Sequence, residues 1–503
     1  MINHKGENMK KSIAILLSLL MMAGTLGCSS ENAENKETAQ SDTTSSVGET
    51  EAQESETEEE TEASVFAGIE EKKFDGRNFN FLYRTTEEYQ FYAEEYTGDA
   101  INDAVHDRNL LVESTFDTKI VGIPIEGDWG QKDSYLNSMK KSIQANDGAY
   151  DLIDGYAAVI GGAYADGLMM NLHDVSNLRP TSTWWSQLAV NELTVNGKLF
   201  GIPGDLSLNL WKNIHVMFFN KAVLENNGLE KPYDMVKNGK WTYDKYLEMN
   251  VGVARDLDGN GEVSLEDSFG SIYYDDLSFD NFHNAFDYSY TVKNDDGSIS
   301  LDLDEQIMVD TYEKIRSLAY ENPDVYYNKG GKVEGTIDVF TQNRALFFAS
   351  VLGDAEKMRD MNSDFGIIPF PKLSEAQEQY KTTSRDNRSM FCIPTDVKDA
   401  DFAGLITEAL CVASNRGVVP VYYDTVLKGK VARDSESAEM LDIIRSGLNF
   451  DFAAEFAIQT GRAGFILRDA IYYDKNYTTY YNESKKMFNK AFDRFVSYYM
   501  EEK

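Results

Sequence analysis

From Asn78 onward the chain alternates short period-two runs with longer stretches of helical spacing, and this alternation restricts the fold more than any other feature. Asn78-Phe79-Asn80-Phe81-Leu82-Tyr83-Arg84 sends successive side chains to opposite faces, as a strand does. Apolar residues then recur at Ala104, Val105, Leu111, Val112 and Phe116, which predicts a helix over 101–116. A second strand is expected at 120–125, a helix at 135–143 stopped by Asn146-Asp147-Gly148, and a third strand at 150–154. Strand and helix in turn imply right-handed crossovers and a mainly parallel sheet. The pattern begins again at Val216-Met217-Phe218-Phe219, followed by a short helix at 221–227 that Gly228 stops. Thr242 reads as the N-cap of a further helix. Strands are expected at 345–349, 366–368 and 390–393, and helical spacing dominates after Phe402. The simplest packing of this order is an α/β protein of two lobes with a helical C-terminal region.

The first seventy or so positions have another character. Lys10 and Lys11 precede an apolar run over 13–23 and small residues down to Thr25-Leu26-Gly27-Cys28. A basic start, a short apolar run and a small-residue end form a secretory signal, too short for a stable spanning helix. The Gly-Cys end resembles a bacterial lipobox, in which the cysteine is lipidated, although Leu26 stands two residues before Cys28 rather than three. An ordinary cleaved signal is the alternative, and translation can start at Met1 or at Met9. The segment 29–73 begins as a run of Ser, Thr, Glu, Ala and Gln that cannot bury enough apolar surface to fold. Its acids, Glu58-Glu59-Glu60 among them, repel one another and suit a spacer between a membrane and a body.

The 503 residues carry a net charge of −36, and the tether accounts for only part of it. An acidic body disfavours nucleic acid and docking on anionic lipid, so the membrane is reached through the lipid anchor alone. Cys392 and Cys411 lie in apolar stretches and read as small buried hydrophobes, with a bond between them as the alternative. The five histidines show no metal-binding spacing.

One ordered set of segments resembles a known family. Asn196-Gly197-Lys198-Leu199-Phe200-Gly201-Ile202-Pro203, Met217-Phe218-Phe219-Asn220-Lys221 and Gly228-Leu229 with Pro232 before Trp241-Thr242 are similar to family 1 extracellular solute-binding proteins of ABC importers. These are the sugar-binding relatives of maltose-binding protein. Gly148-Ala149-Tyr150-Asp151-Leu152-Ile153, the stretch 340–348, and Phe365-Gly366-Ile367-Ile368-Pro369-Phe370-Pro371 extend the likeness over nearly the whole body. The resemblance implies a two-lobed periplasmic-binding-protein-like fold of type II, in which a hinge closes the lobes on ligand. It places the first crossing between lobes near 203–213 and the return crossings near 345–354 and 389–395. Lobe one would comprise 74–206 and 350–390; lobe two, 207–349 and 391–503. It also implies a monomer without catalytic activity, anchored on the outer face of the cell membrane. Its partners would be a carbohydrate, most simply an oligosaccharide, and the permease subunits of the transporter.

Ligands of open α/β sheets sit beyond the carboxyl ends of strands. That rule brings forward Arg84 and Thr85 after the first strand, Trp129 after the second and Tyr156 after the third. The crossings add Asp205, Trp211, Asp354, Asp386 and Arg388. An indole face with Asp or Arg beside it matches the C–H faces and hydroxyls of a sugar. Trp184, Trp185 and Trp241 read equally well as packing residues. A separate loop carries oxygen side chains at EF-hand positions 1, 3, 5, 9 and 12: Asp256, Asp258, Asn260, Ser264 and Asp267, with Glu262 offering a carbonyl and Gly261 at the sharp turn. Structural calcium is expected there, an acidic surface turn being the alternative. With 84 acidic residues, chance carboxylate pairs leave a secreted glycan hydrolase open. A surface adhesin, or a peptide-binding receptor of the same fold, is a further alternative. No Gly-x-Ser-x-Gly, His-Glu-x-x-His or phosphate-cradling glycine loop is present.

Overall fold

The computed structural model describes residues 65–70, 72–303, 306–424, 427 and 434–501. Cys28 and most of the tether lie outside the described residues. Two sheets organise the body. In the first, β1 (Arg77–Arg84) pairs in parallel with β2 (Thr118–Ile125), from Arg77 opposite Thr118 to Arg84 opposite Ile125. It also pairs in parallel with β3 (Leu152–Tyr156). Between them run α1 (Ala100–Phe116) and α2 (Lys132–Gln144), so both connections are crossovers of the expected kind. α1 begins where Asp99 accepts from the backbone N–H of Ile101 and Asn102, each at 3.0 Å. The short helix α3 (Ala157–Tyr164) follows β3 directly.

The second sheet is mixed and is built around strands buried along their whole length. β4 (His215–Asn220) is flanked by β10 (Phe365–Ile368) and β9 (Ala345–Val351), antiparallel to both. β9 then pairs in parallel with β5 (Phe269–Tyr274), and β5 with β8 (Val325–Asn328). A continuous apolar run such as Val216-Met217-Phe218-Phe219 is what a strand covered on both faces requires. Helix α4 (Tyr243–Asn250) starts at Thr242, whose hydroxyl accepts from Lys245 N–H at 3.3 Å. A small hairpin, β6 (Thr291–Lys293) with β7 (Ile299–Leu301), lies outside both sheets, while α5 (Gln306–Tyr320) and α6 (Val333–Thr341) precede β8 and β9.

The chain leaves the first sheet after Ile202, bridged to Phe391, and enters the second at His215. Its return differs from the expected one. β9 and β10 both belong to the second sheet, and the chain comes back only along 369–388 to β11 (Ser389–Cys392), which pairs antiparallel with β3. Residues 350–368 therefore do not group with lobe one, nor does β11 group with lobe two. A run such as Ala345-Leu346-Phe347-Phe348 declares itself buried, but its composition says nothing about which sheet it joins. The C-terminal helices are also shared. α7 (Ala400–Ala413) packs on α1, whereas α8 (Ser435–Ser446) packs on β10. α9 (Ile466–Tyr472) lies against the turn after β5, and α10 (Tyr477–Met500) touches both α5 and α9.

Three tryptophans serve packing. Trp241 is fully buried and donates to the carbonyl of Pro369 at 2.9 Å. The indoles of Trp184 and Trp185 both donate to the buried carboxylate of Glu408, at 2.9 Å each. Cys392 and Cys411 are buried and free. Burial pushes the Cys392 thiol up to about 12.

Candidate functional site: a two-sided cleft

A cavity of about 530 Å³ opens where the strand ends of the two sheets meet. The first sheet contributes Trp129, after β2, and Tyr156, the last residue of β3. The second contributes Asp275 and Leu277, just after β5. The returning crossing supplies Arg385, Asp386 and Asn387, and the far wall comes from Arg462, Phe465 and α9. Trp129 is 48% exposed, its ring centre 6.1 Å from that of Tyr156. Lys132 sits 4.3 Å over the indole. Burial raises the Tyr156 phenol above its usual range, so it stays protonated and can donate.

The charged groups of the wall are fixed by one another. Arg468 donates to Asp280 at 2.6 Å and reaches Asp386 at 3.4 Å, with Phe465 3.9 Å beneath its guanidinium. Arg462 grips Asp469 through two hydrogen bonds of 2.8 and 2.5 Å. Behind the cavity lies a chamber of about 30 Å³, lined by His215, His283, Arg388 and Glu455 and sharing Arg385, Asp386, Phe465 and Arg468 with the cleft. Arg388 is ion-paired to Glu455 there, and burial lowers its guanidinium to about 9.

Trp129, Tyr156 and Asp386 are the sequence-expected residues that line the cleft. Thr85 is exposed at the rim of the first sheet and is not part of the lining. Arg84 is buried under it: its Nε bonds Asp154 at 3.0 Å and its Nη1 donates to the carbonyl of Asn387 at 2.8 Å. It is therefore a positioning residue that pins the crossing from below. Arg388 lines the rear chamber instead of the cleft. Asp354 is buried against Ser350 and ion-paired to Lys357 at 2.9 Å. Asp205 and Trp211 face a separate groove of about 440 Å³ with Trp185 and Arg445. There the indole N–H of Trp211 donates to Asp205 at 3.3 Å, while Arg445 covers the ring at 4.5 Å. Strand-end logic finds residues at the rim, but which crossing residue turns inward depends on loop geometry that no periodicity encodes. The wall from Arg462 to Tyr473 gave no signal beyond helical spacing.

A larger groove of about 680 Å³ runs along α10 beside Ala165 and Asp166. It takes nothing from any strand end, so the two-sided cleft is the better candidate for capture.

The loop 256–267, between α4 and β5, folds around its own carboxylates. Asp256 accepts from the N–H of Gly259 and Gly261, at 2.7 and 3.0 Å, and these bonds hold its carboxyl below the usual range. Asp267, buried, accepts from Leu257 and Ser264, at 3.0 Å each. Gly261 takes φ of +75°, which the sharp turn requires. Carboxylate oxygens of Asp256, Asp258 and Asp267 lie within 4.8 Å of one another. Asn260 accepts from Glu262 N–H at 2.5 Å and Ser264 from Glu266 N–H at 3.1 Å.

The family model for bacterial extracellular solute-binding proteins matches residues 114–415, more than half of the chain. No curated protein matches by sequence. Among solved structures, the ABC substrate-binding protein Lmo0181 of Listeria monocytogenes, in complex with cycloalternan, is similar with a TM-score of 0.53 and 12% identity, over 83% of this chain and all of that one. The GacH receptor of Streptomyces glaucescens, solved unliganded and with acarbose, gives 0.52 and 12%, over 82% of this chain and 99% of its own. UgpB of Mycobacterium tuberculosis, in complex with glycerophosphocholine, gives 0.55 and 13%, over 84% and 99%. These likenesses show a two-lobed α/β fold of type II.

Proposed function

Because the chain belongs to the bacterial extracellular solute-binding proteins, we propose that it captures a carbohydrate between its two sheets and delivers it to the permease of an ABC importer, without transforming it. The observation that carries this reading is the cleft itself. Strand ends of both sheets, the crossing and α9 enclose about 530 Å³, with Trp129, Tyr156, Phe465 and Tyr472 among fixed Asp and Arg groups. Aromatic faces with charged hydrogen-bonding groups suit sugar rings, and a site shared by two lobes closes by hinge motion. The similar proteins solved with cycloalternan and acarbose support a sugar for a chain of this fold. The test is a glycan screen by thermal shift, followed by titration calorimetry. A bound glycan at one hundred times its Kd raises stability by about 2.7 kcal/mol. Stabilisation by peptides and by no glycan would overturn the carbohydrate reading, and release of reducing sugar would overturn the non-catalytic one.

The same reading makes the protein a lipoprotein on the outer face of the membrane, tethered through Cys28. Cys28→Ser should release the protein into the medium or leave it unprocessed; unchanged membrane retention of the variant, with no lipid mass on the mature wild-type N-terminus, would refute the anchor. The loop of Asp256, Asp258 and Asp267 is proposed to hold one calcium ion as a brace, in keeping with its oxygen donors.

A further inference from the structure

We infer that the captured solute is acidic, a sugar bearing a carboxylate such as a uronic acid, and that Arg385 receives that carboxylate. This rests on the carbohydrate reading above. The other arginines of the cavity and its rear chamber are each matched: Arg388 by Glu455, Arg462 by Asp469, and Arg468 by Asp280 and Asp386. Arg385 is the exception. Among the described residues its guanidinium donates no hydrogen bond and closes on no carboxylate. It lies 5.7 Å from the ring centre of Tyr274, and the carboxylates of Asp386, Asp354 and Asp280 act on it only through space. The residue is nevertheless held in place. Its N–H donates to the carbonyl of Asn213 at 3.0 Å, and its carbonyl accepts from the Arg388 guanidinium at 2.8 Å. Its backbone is thus anchored while the guanidinium keeps its donors for an anion that enters the cleft.

The same surroundings choose the kind of anion. A guanidinium fork matches one carboxylate in a bidentate pair. A phosphate would bring a second negative charge into a cavity already lined by Asp275, Asp386 and Asp469, whose repulsion opposes it. Neutral hydroxyls can accept from Arg385 but do not form the charge-assisted, two-point bond of a carboxylate. Trp129, Tyr472 and Tyr473 are then free to face the sugar rings.

The test uses the mature protein and four matched probe sets in titration calorimetry: uronic acid oligosaccharides, the same oligosaccharides as methyl esters, neutral counterparts and phosphorylated counterparts. The acid form should bind at least roughly thirty-fold more tightly than its ester, since a hydrogen bond to a charged group carries that order of discrimination. Arg385→Gln should erase the preference, and Arg385→Lys should retain part of it, with melting curves confirming folded protein. Equal or tighter binding of esters or neutral glycans would overturn the acidic ligand while leaving the carbohydrate reading in place. Preference for the phosphorylated set would replace carboxylate by phosphate and so also overturn it. Binding of no glycan in any set would refute the carbohydrate reading, and the inference with it. If neither variant folds, the acid-to-ester ratio of the wild type alone decides.

Discussion

Arg84 and Trp129 both follow strands of the first sheet, yet they should respond to truncation in opposite ways. Arg84 is buried with Asp154, so Arg84→Ala leaves that carboxylate without its cation and should cost about 3–5 kcal/mol of stability in urea unfolding. Trp129 is half exposed over the cleft, so Trp129→Ala should leave unfolding unchanged and weaken the identified glycan about ten-fold in calorimetry. The sequence placed both at the rim. It could not show that Asp154, on the neighbouring strand β3, lies where it draws the Arg84 side chain inward. Asp205 gives a pH signature of its own. Burial raises its carboxyl to about 6, against the pull of Asn415, Arg445 and Trp211. The folded state thus holds a proton that the unfolded chain has lost, so stability falls as pH rises from about 4 to about 6 and is level above. Asp205→Asn should remove this, and the difference between variant and wild type should change by up to about 3 kcal/mol across that window.

At the scale of elements, the ends of α1 and the loop before β5 carry the clearest expectations. Asp99→Ala removes the acceptor for two otherwise unpaired N–H groups of α1 and should destabilise by about 1 kcal/mol, read from the denaturation midpoint at unchanged slope. Calcium chelation should lower the melting temperature of the wild type, and Asp256→Ala with Asp258→Ala should abolish the response; a response that survives would put the metal elsewhere. Seven of the strands were legible, because period two and full burial are local properties, while β5, β6, β7 and β8 were not among those expected. Thr242 was legible as a cap for the same reason. Sheet membership was not, since β9, β10 and β11 are all buried along their whole length and that burial does not tell which strand each pairs with. The double use of Glu408 by Trp184 and Trp185 was hidden as well, for its carboxylate comes from α7, more than two hundred positions further along the chain.

For the molecule as a whole, the carbohydrate reading requires a change of shape. Saturating ligand should reduce the radius of gyration in solution scattering, and Trp129→Ala should need more ligand for the same contraction. The two-lobed plan was legible from the alternation and the ordered family segments, because both extend over the whole body. The cleft was only partly legible, since its lining gathers stretches as distant as Trp129, Asp275, Arg385 and Tyr473. That gathering has a consequence for how the protein is made. Both sheets are complete once β11 has been synthesised, but the far wall from Arg462 to Tyr473 follows some seventy residues later. If that cleft is the capture site, as proposed, an exported chain passes through a stage with both sheets and an incomplete cleft, and competence for its solute would arrive only near the end of export.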